Sequence, residues 1–299
     1  MTAAGFPTSP SEILRLDAAG ADRLLDDLEA HVPRREAYAE LPALPGGSAF
    51  VIGDTHGDWR STIEAVRQFE EAGSTSVFVG LGDYVDRSPS DLPCGAVANA
   101  LYLLGLAARR PDRVFLLQGN HEAQRRIPVA PHTLPDEVER LWGPGPERYT
   151  RLMGLLERGP LAASSRSGAY FAHAGFPRGK LPGRWQDALT EPDEERLLEL
   201  VWAEPEASHD RRGAVAPWTE LDLDRFLAAS GLSTVWRGHD PDIAGRPLYR
   251  ARAMTLHTTR RYQRYGGVLL AVIPLDRPVP TVLDAELRHL ATEIAGTRP

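Results

Sequence analysis

Five short clusters of aspartate, asparagine and histidine, each trailing an apolar run, constrain this chain more than any other feature. They are GDTHGD at Gly53–Asp58, GDYVDR at Gly82–Arg87, GNHE at Gly119–Glu122, HAG at His173–Gly175 and RGHD at Arg237–Asp240. The runs that precede them are AFVI, SVFVGL, RVFLLQ, AYFA and STVW. Short apolar runs bounded by turn residues read as buried strands. Residues just past the ends of parallel strands gather on one rim of a sheet, where open α/β folds place their ligands. Rim positions that supply carboxylates, imidazoles and an amide, without a thiolate, make a donor set for hard or borderline divalent cations.

The segments between the clusters fit such a sheet. From Ser48 onward strand and helix alternate: AFVI, a helix over Trp59–Ala72 stopped at Gly73, SVFVGL, a helix over Gly95–Arg110 stopped at Pro111, then RVFLLQ. This is the β-α-β-α-β order of a parallel sheet with crossover helices. Upstream, Ser9–His31 reads as one amphipathic helix through Ile13, Leu16, Leu24, Leu25 and Leu28, weakened at Gly20. Pro33, Pro42, Pro45, Gly46 and Gly47 then punctuate a connector. After GNHE the pattern breaks. Ile127–Pro146 is proline-rich with a short helical piece around Asp136–Trp142, and long excursions of that kind are functional or mobile loops. Further helices are expected over Glu147–Leu156, Pro192–Trp202 and Leu221–Ala229, with a β-rich end in AMTLHT, GVLLAVIPL and PTVLDA. No repeat or composition break divides the chain. The expectation is one catalytic domain over residues 48–299, with a Pro-rich insert near 127–146, preceded by a helical extension and connector over 1–47.

Bulk properties narrow the function classes. The 299 residues are 25% charged and 42% hydrophobic, the balance of a globular protein with ample core. A net charge of −7 argues against a partner held by broad contact with nucleic-acid phosphates. No apolar stretch approaches the roughly 18 residues of a spanning helix, and the N-terminus lacks a secretory pattern. The single cysteine, Cys94, suits a reducing compartment. The expectation is a cytoplasmic protein with no nucleic-acid or membrane partner.

Taken singly, each cluster is ordinary. An isolated Gly-Asp is as well read as a helix cap. Together they specify two cation sites. Asp54, His56 and Asp83 suit a first ion, and Asp83 bridging to Asn120, His173 and His239 suits a second. Such a pair, about 3.5–4 Å apart, deprotonates a shared water and orients it for in-line attack on phosphorus. Arginine suits the non-bridging phosphate oxygens, because its guanidinium binds them bidentately. Arg87 is one candidate and Arg212 the other, with Arg211 competing for the latter role. The leaving alkoxide needs a proton, which His121, beside Asn120, is placed to give, and Asp86 to orient.

GDTHGD, GDYVDR and GNHE resemble the three signature blocks of the phosphoprotein phosphatase family of metal-dependent serine/threonine phosphatases, within the calcineurin-like metallophosphoesterases. HAG resembles that family's HGG block, VWAEPE at Val201–Glu206 its Trp-Ser/Ala-Asp-Pro segment, and RGHD its Arg-Ala-His block; Arg212–Gly213 falls where the family has a phosphate-binding arginine. The resemblance runs from about Ala49 to His257. It implies an α/β fold with a central two-sheet β-sandwich flanked by helices. It also implies a dinuclear site for manganese, iron or zinc, manganese foremost, and direct hydrolysis of phosphoserine and phosphothreonine, with phosphotyrosine as a further substrate, in phosphoproteins or phosphopeptides by a prokaryotic-type enzyme. Ser88 departs from the family's glycine, and Ala174 in HAG is similar to diadenosine tetraphosphatases, the alternative reading. His257, in LHTTRRY, lines the site or competes with His239 as a ligand.

Overall fold

The structure is a computed structural model that describes residues 5–181, 183–208 and 215–291. Among the described residues, ten strands form two five-stranded sheets. They are β1 (Tyr38–Glu40), β2 (Ser48–Ile52), β3 (Ser76–Gly80), β4 (Val114–Leu116), β5 (Ala162–Ser164), β6 (Ala169–Ala172), β7 (Thr234–Arg237), β8 (Ala253–Thr255), β9 (Leu269–Pro274) and β10 (Glu286–His289). One sheet runs β1-β5-β6-β7-β8 and the other β10-β9-β2-β3-β4. Eight α-helices among the described residues cover them: α1 (Pro10–Ile13), α2 (Ala18–His31), α3 (Trp59–Glu71), α4 (Gly95–Arg109), α5 (Leu134–Trp142), α6 (Pro146–Leu156), α7 (Glu194–Trp202) and α8 (Glu220–Ser230).

The sandwich follows from the two-residue period of the strands, which sends successive side chains to opposite faces. In β2, Ala49 and Val51 face the other sheet while Phe50 and Ile52 face helices. β6 does the same from the opposite side: Ala169 and Phe171 point between the sheets, Tyr170 and Ala172 outward. Three cores result. One lies between the sheets, one joins β2, β3 and β4 to α1 through α6, and one joins β6 and β7 to α7 and α8. The expected two-sheet sandwich flanked by helices is the observed fold.

The parallel strands β2, β3, β4 and the parallel strands β6, β7, β8 end on a common rim. A parallel bridge between Asp54 and His257, with the Thr258 N–H donating to the Asp54 carbonyl at 2.9 Å, stitches the end of β2 to the end of β8. All five sequence clusters leave strands at this rim.

Some expectations need correction. The N-terminal helix is two helices, because Asp17 caps a fresh start by accepting from Gly20 N–H at 2.7 Å. Gly20, expected to weaken the middle, sits in the first turn of α2. PTVLDA is not a strand: Thr281 and Asp284 form a reciprocal capping box over a short 3-10 turn at Val282–Asp284, and the strand begins at Glu286. β1, within the expected connector, and β5 are three residues each, too short for a periodic signal. Phe171 is fully buried between the sheets. Phe171→Ala is expected to lower stability by about 3–5 kcal/mol, read as a shift of the denaturant midpoint at unchanged slope.

Candidate metal centre

The rim is built from backbone that ordinary residues avoid. His56, Asp83, Asp86, Arg87 and His239 have φ of 43°, 56°, 60°, 52° and 71°. Left-handed non-glycine residues cost of order 1–3 kcal/mol each and persist only where the surroundings fix them. The surroundings do so here. The N–H groups of Thr55 and His56 both donate to the Asp83 carbonyl, at 3.1 and 2.9 Å. The buried Glu122 carboxylate accepts from the N–H groups of Asp83, Tyr84 and Gly119 at 2.7, 2.9 and 2.9 Å. Burial, reinforced by the neighbouring Asp83 charge, pushes Glu122 up to about 7. Close approach also demands glycine at 238, where a Cβ would lie 2.2 Å from Asp54 Oδ1.

The six expected ligands come together, all buried. His173 Nε2 lies 3.0 Å from the Asn120 amide, 3.1 Å from His239 Nδ1 and 3.5 Å from Asp83 Oδ1. His56 Nε2 lies 3.6 Å from Asp83 Oδ2 and 3.7 Å from Asp54 Oδ2. Backbone carbonyls fix the tautomers. His56 Nδ1 is 3.0 Å from the Val85 oxygen and His173 Nδ1 is 2.9 Å from the Leu81 oxygen. A carbonyl only accepts, so both Nδ1 atoms carry the proton and both Nε2 lone pairs turn to the carboxylates. Burial lowers His56 to about 3 and His173 to about 4, against the pull of Asp83, so both imidazoles are neutral at pH 7. Imidazole, carboxylate and amide donors converge here within reach of one another. They fit a cation on each side of Asp83.

His257 does not compete with His239. Its Nε2 is 3.7 Å from Asp54 Oδ2, the oxygen that His56 also faces, whereas His239 faces His173. A separation of 3.7 Å exceeds a hydrogen bond and matches two ligand atoms around one ion. His257 therefore could join Asp54 and His56 at the first ion. Glu204 of the WAEP segment stands 3.6 Å from His239 Nε2, on the side away from His173.

His121 stands beside the donor set. Its Nδ1 meets Asp86 Oδ2 at 2.5 Å, and its buried Nε2, which lacks a hydrogen-bond partner among the described residues, lies 3.9 Å from Asp83 Oδ2. Burial opposes its protonation, but Asp83 and the bonded Asp86 outweigh it, and its pKa is raised. Arg87 is half-buried at the same rim, with its carbonyl accepting from Arg261 at 3.3 Å. Arg211 and Arg212 lie outside the described residues. Ser88, where the family has glycine, uses its hydroxyl to hold Glu137 of α5 at 3.1 Å. The sequence reading missed His132, whose Nδ1 meets Asp86 Oδ2 at 2.8 Å. A lone histidine in a proline-rich segment carries no signal of its own.

This fold and donor set define a metal-dependent phosphoester hydrolase. The chain belongs to the calcineurin-like phosphoesterase family, whose model matches residues 48–242. It is 26% identical over 237 residues to the serine/threonine-protein phosphatase 4 catalytic subunit of Kluyveromyces lactis, spanning 76% of this chain and 73% of that protein. It is 30% identical over 223 residues to serine/threonine-protein phosphatase 7 of Arabidopsis thaliana, spanning 73% of this chain and 49% of that one. In fold it is similar to a Saccharomyces cerevisiae serine/threonine phosphatase with similarity to human PP5, with a TM-score of 0.74 at 20% identity over 94% of this chain and 92% of that one.

The placement of His257 yields a test. His257→Ala is expected to weaken one of two Mn²⁺ binding events roughly 10–100-fold and leave the other, by isothermal titration calorimetry. Two unchanged events would remove His257 from the ligand set.

Proposed function

We propose that this chain is a phosphoprotein phosphatase that hydrolyses phosphoserine and phosphothreonine monoesters, with phosphotyrosine as a further substrate. The observation that carries the reading is His121, held by Asp86 with its Nε2 turned to the metal-ligand cluster. Serine and threonine leave as alkoxides, poor leaving groups that need a proton, whereas a nucleotide leaving from a pyrophosphate needs little. A buried histidine anchored by a carboxylate beside the cluster suits the first task. The relatives named above, themselves serine/threonine phosphatases, support the same choice over dinucleotide hydrolysis.

In this reading Asp54, His56 and Asp83, with His257, would hold one divalent ion, and Asp83, Asn120, His173 and His239 would hold the other. Manganese is the proposed pair, with iron or zinc as substitutes. When bound, the ions supply Lewis acidity toward the phosphoryl oxygens and an acidified water. The protein supplies the rest. Arg87, with Arg212 or Arg211, binds the non-bridging oxygens as a planar cation. His121 gives its Nε2 proton to the leaving oxygen, while Asp86 fixes the ring through Nδ1. The proposed setting is the cytoplasm, with phosphoproteins as partners and neither nucleic acid nor membrane.

The manganese-loaded protein should release phosphate from phosphoserine peptides with kcat/KM at least tenfold above its value for diadenosine tetraphosphate. The reverse ranking would overturn the assignment. Arg87→Ala should raise KM for phosphopeptides by about tenfold, the scale of one charge-assisted contact, and an unchanged KM would remove Arg87 from phosphate binding.

A further inference from the structure

The proline-rich segment after GNHE folds as a cradle for one carboxylate. Asp86, fully buried, accepts the Thr133 N–H at 2.7 Å and the Leu134 N–H at 2.9 Å on Oδ1. Its Oδ2 takes two imidazoles at once, His121 Nδ1 at 2.5 Å and His132 Nδ1 at 2.8 Å. Pro131 and Pro135 frame this turn, so its backbone has few alternatives. The second ring nitrogen of His132 is also engaged, at 2.9 Å from the Tyr149 hydroxyl on α6. A continuous chain of contacts thus runs from Tyr149 through His132 and Asp86 to His121.

Chemistry assigns direction to the links at Asp86. An ionised carboxylate only accepts, so both Nδ1 atoms that meet Asp86 donate. The Tyr149 hydroxyl, which can donate or accept, bonds Nε2 at the other end of the ring and holds the imidazole in place against Asp86. With only the two N–H groups on Oδ1 and His121 on Oδ2, the outer oxygen could still rock about the χ2 torsion, which is broad. With the two N–H groups on Oδ1 and a second imidazole on Oδ2 it is pinned. The direction of His121 Nε2 follows from that of Asp86.

We propose that His132, held in place by Tyr149, is a positioning residue for the acid step: it fixes Asp86, and through Asp86 the aim of His121 at the leaving-group oxygen. The inference rests on the reading of His121 as general acid. It gives the proline-rich segment a part in turnover, and it distinguishes His132 from a residue that merely fills space, which would affect all esters alike.

The experiment compares phenyl-type and alkyl-type leaving groups on the manganese-loaded full chain. Variants His121→Ala, His132→Ala, His132→Asn and Tyr149→Phe are assayed with p-nitrophenyl phosphate and with a phosphoserine peptide, after checking thermal midpoint and manganese content. His132→Ala should slow kcat on the phosphoserine peptide about tenfold, the lower end of losses at supporting positions, and change kcat on p-nitrophenyl phosphate less than about twofold. His132→Asn, whose amide N–H replaces the Nδ1 donor, should recover most of that loss. Tyr149→Phe should show the same selectivity, more weakly. Equal slowing of both esters by His132→Ala, with His121→Ala still selective, overturns the positioning role and leaves the acid in place. No selectivity in His121→Ala itself overturns the acid reading, and the role of His132 with it. Should His132→Ala fail to fold, the His132→Asn and Tyr149→Phe pair decides: leaving-group dependence identical to wild type in Tyr149→Phe contradicts the proposal.

Discussion

The rest of this structure depends on where Asp83 is held. Its carboxylate has one oxygen 3.6 Å from His56 Nε2 and the other 3.5 Å from His173 Nε2, so a single side chain faces both groups of donors. Its backbone sits in the left-handed region, an arrangement no side chain favours. What compensates is a set of buried hydrogen bonds: Glu122 takes its N–H, and Thr55 and His56 donate to its carbonyl. The loop after β2 is therefore built on the loop after β3, and both on the loop after β4. The three loops form one hydrogen-bonded unit.

The same economy explains the two sheets. Each contributes three parallel strands whose ends meet at the rim, and the contacts that join them are backbone contacts next to ligand side chains. The His173 ring bonds to the Leu81 carbonyl across the sheets, and the His239 N–H donates to Asp54 Oδ1 at 2.8 Å, also across them; within its own sheet, the Gly238 N–H donates to the His173 carbonyl at 2.8 Å. Moving one sheet relative to the other would carry half of the donors away from Asp83. Close packing of the inter-sheet core, with Val51, Val79, Phe171 and Trp236 interlocked, resists that motion. Precision at the metal-ligand atoms thus comes from apolar burial far from the rim.

Much of this was legible in the chain because strand ends and ligand types coincide. AFVI, SVFVGL, RVFLLQ, AYFA and STVW are buried, β-branched or aromatic, and each precedes a donor, so the parallel strands and the six converging side chains followed from pattern, whereas the two-sheet sandwich was what the family resemblance implied. What escaped has physical reasons. β1 and β5 gain their stability from pairing with each other, Tyr38 opposite Ala162, rather than from local propensity. The split of the first helix turned on one cap at Asp17. His132 acts at a distance in sequence of 46 residues from Asp86, through a contact no spacing rule encodes. His257 was visible as a histidine near the site, but its side of the centre depended on β8 lying beside β7 and reaching Asp54.

Everything above requires one carboxylate to serve two cations. The most direct measurement is electron paramagnetic resonance on metal-free protein titrated with Mn²⁺, with the metal content of the same samples. The account predicts two manganese ions per chain and a spin-coupled multiline spectrum that Asp83→Asn abolishes. A single uncoupled ion in the intact protein, or coupling that survives Asp83→Asn, would contradict it.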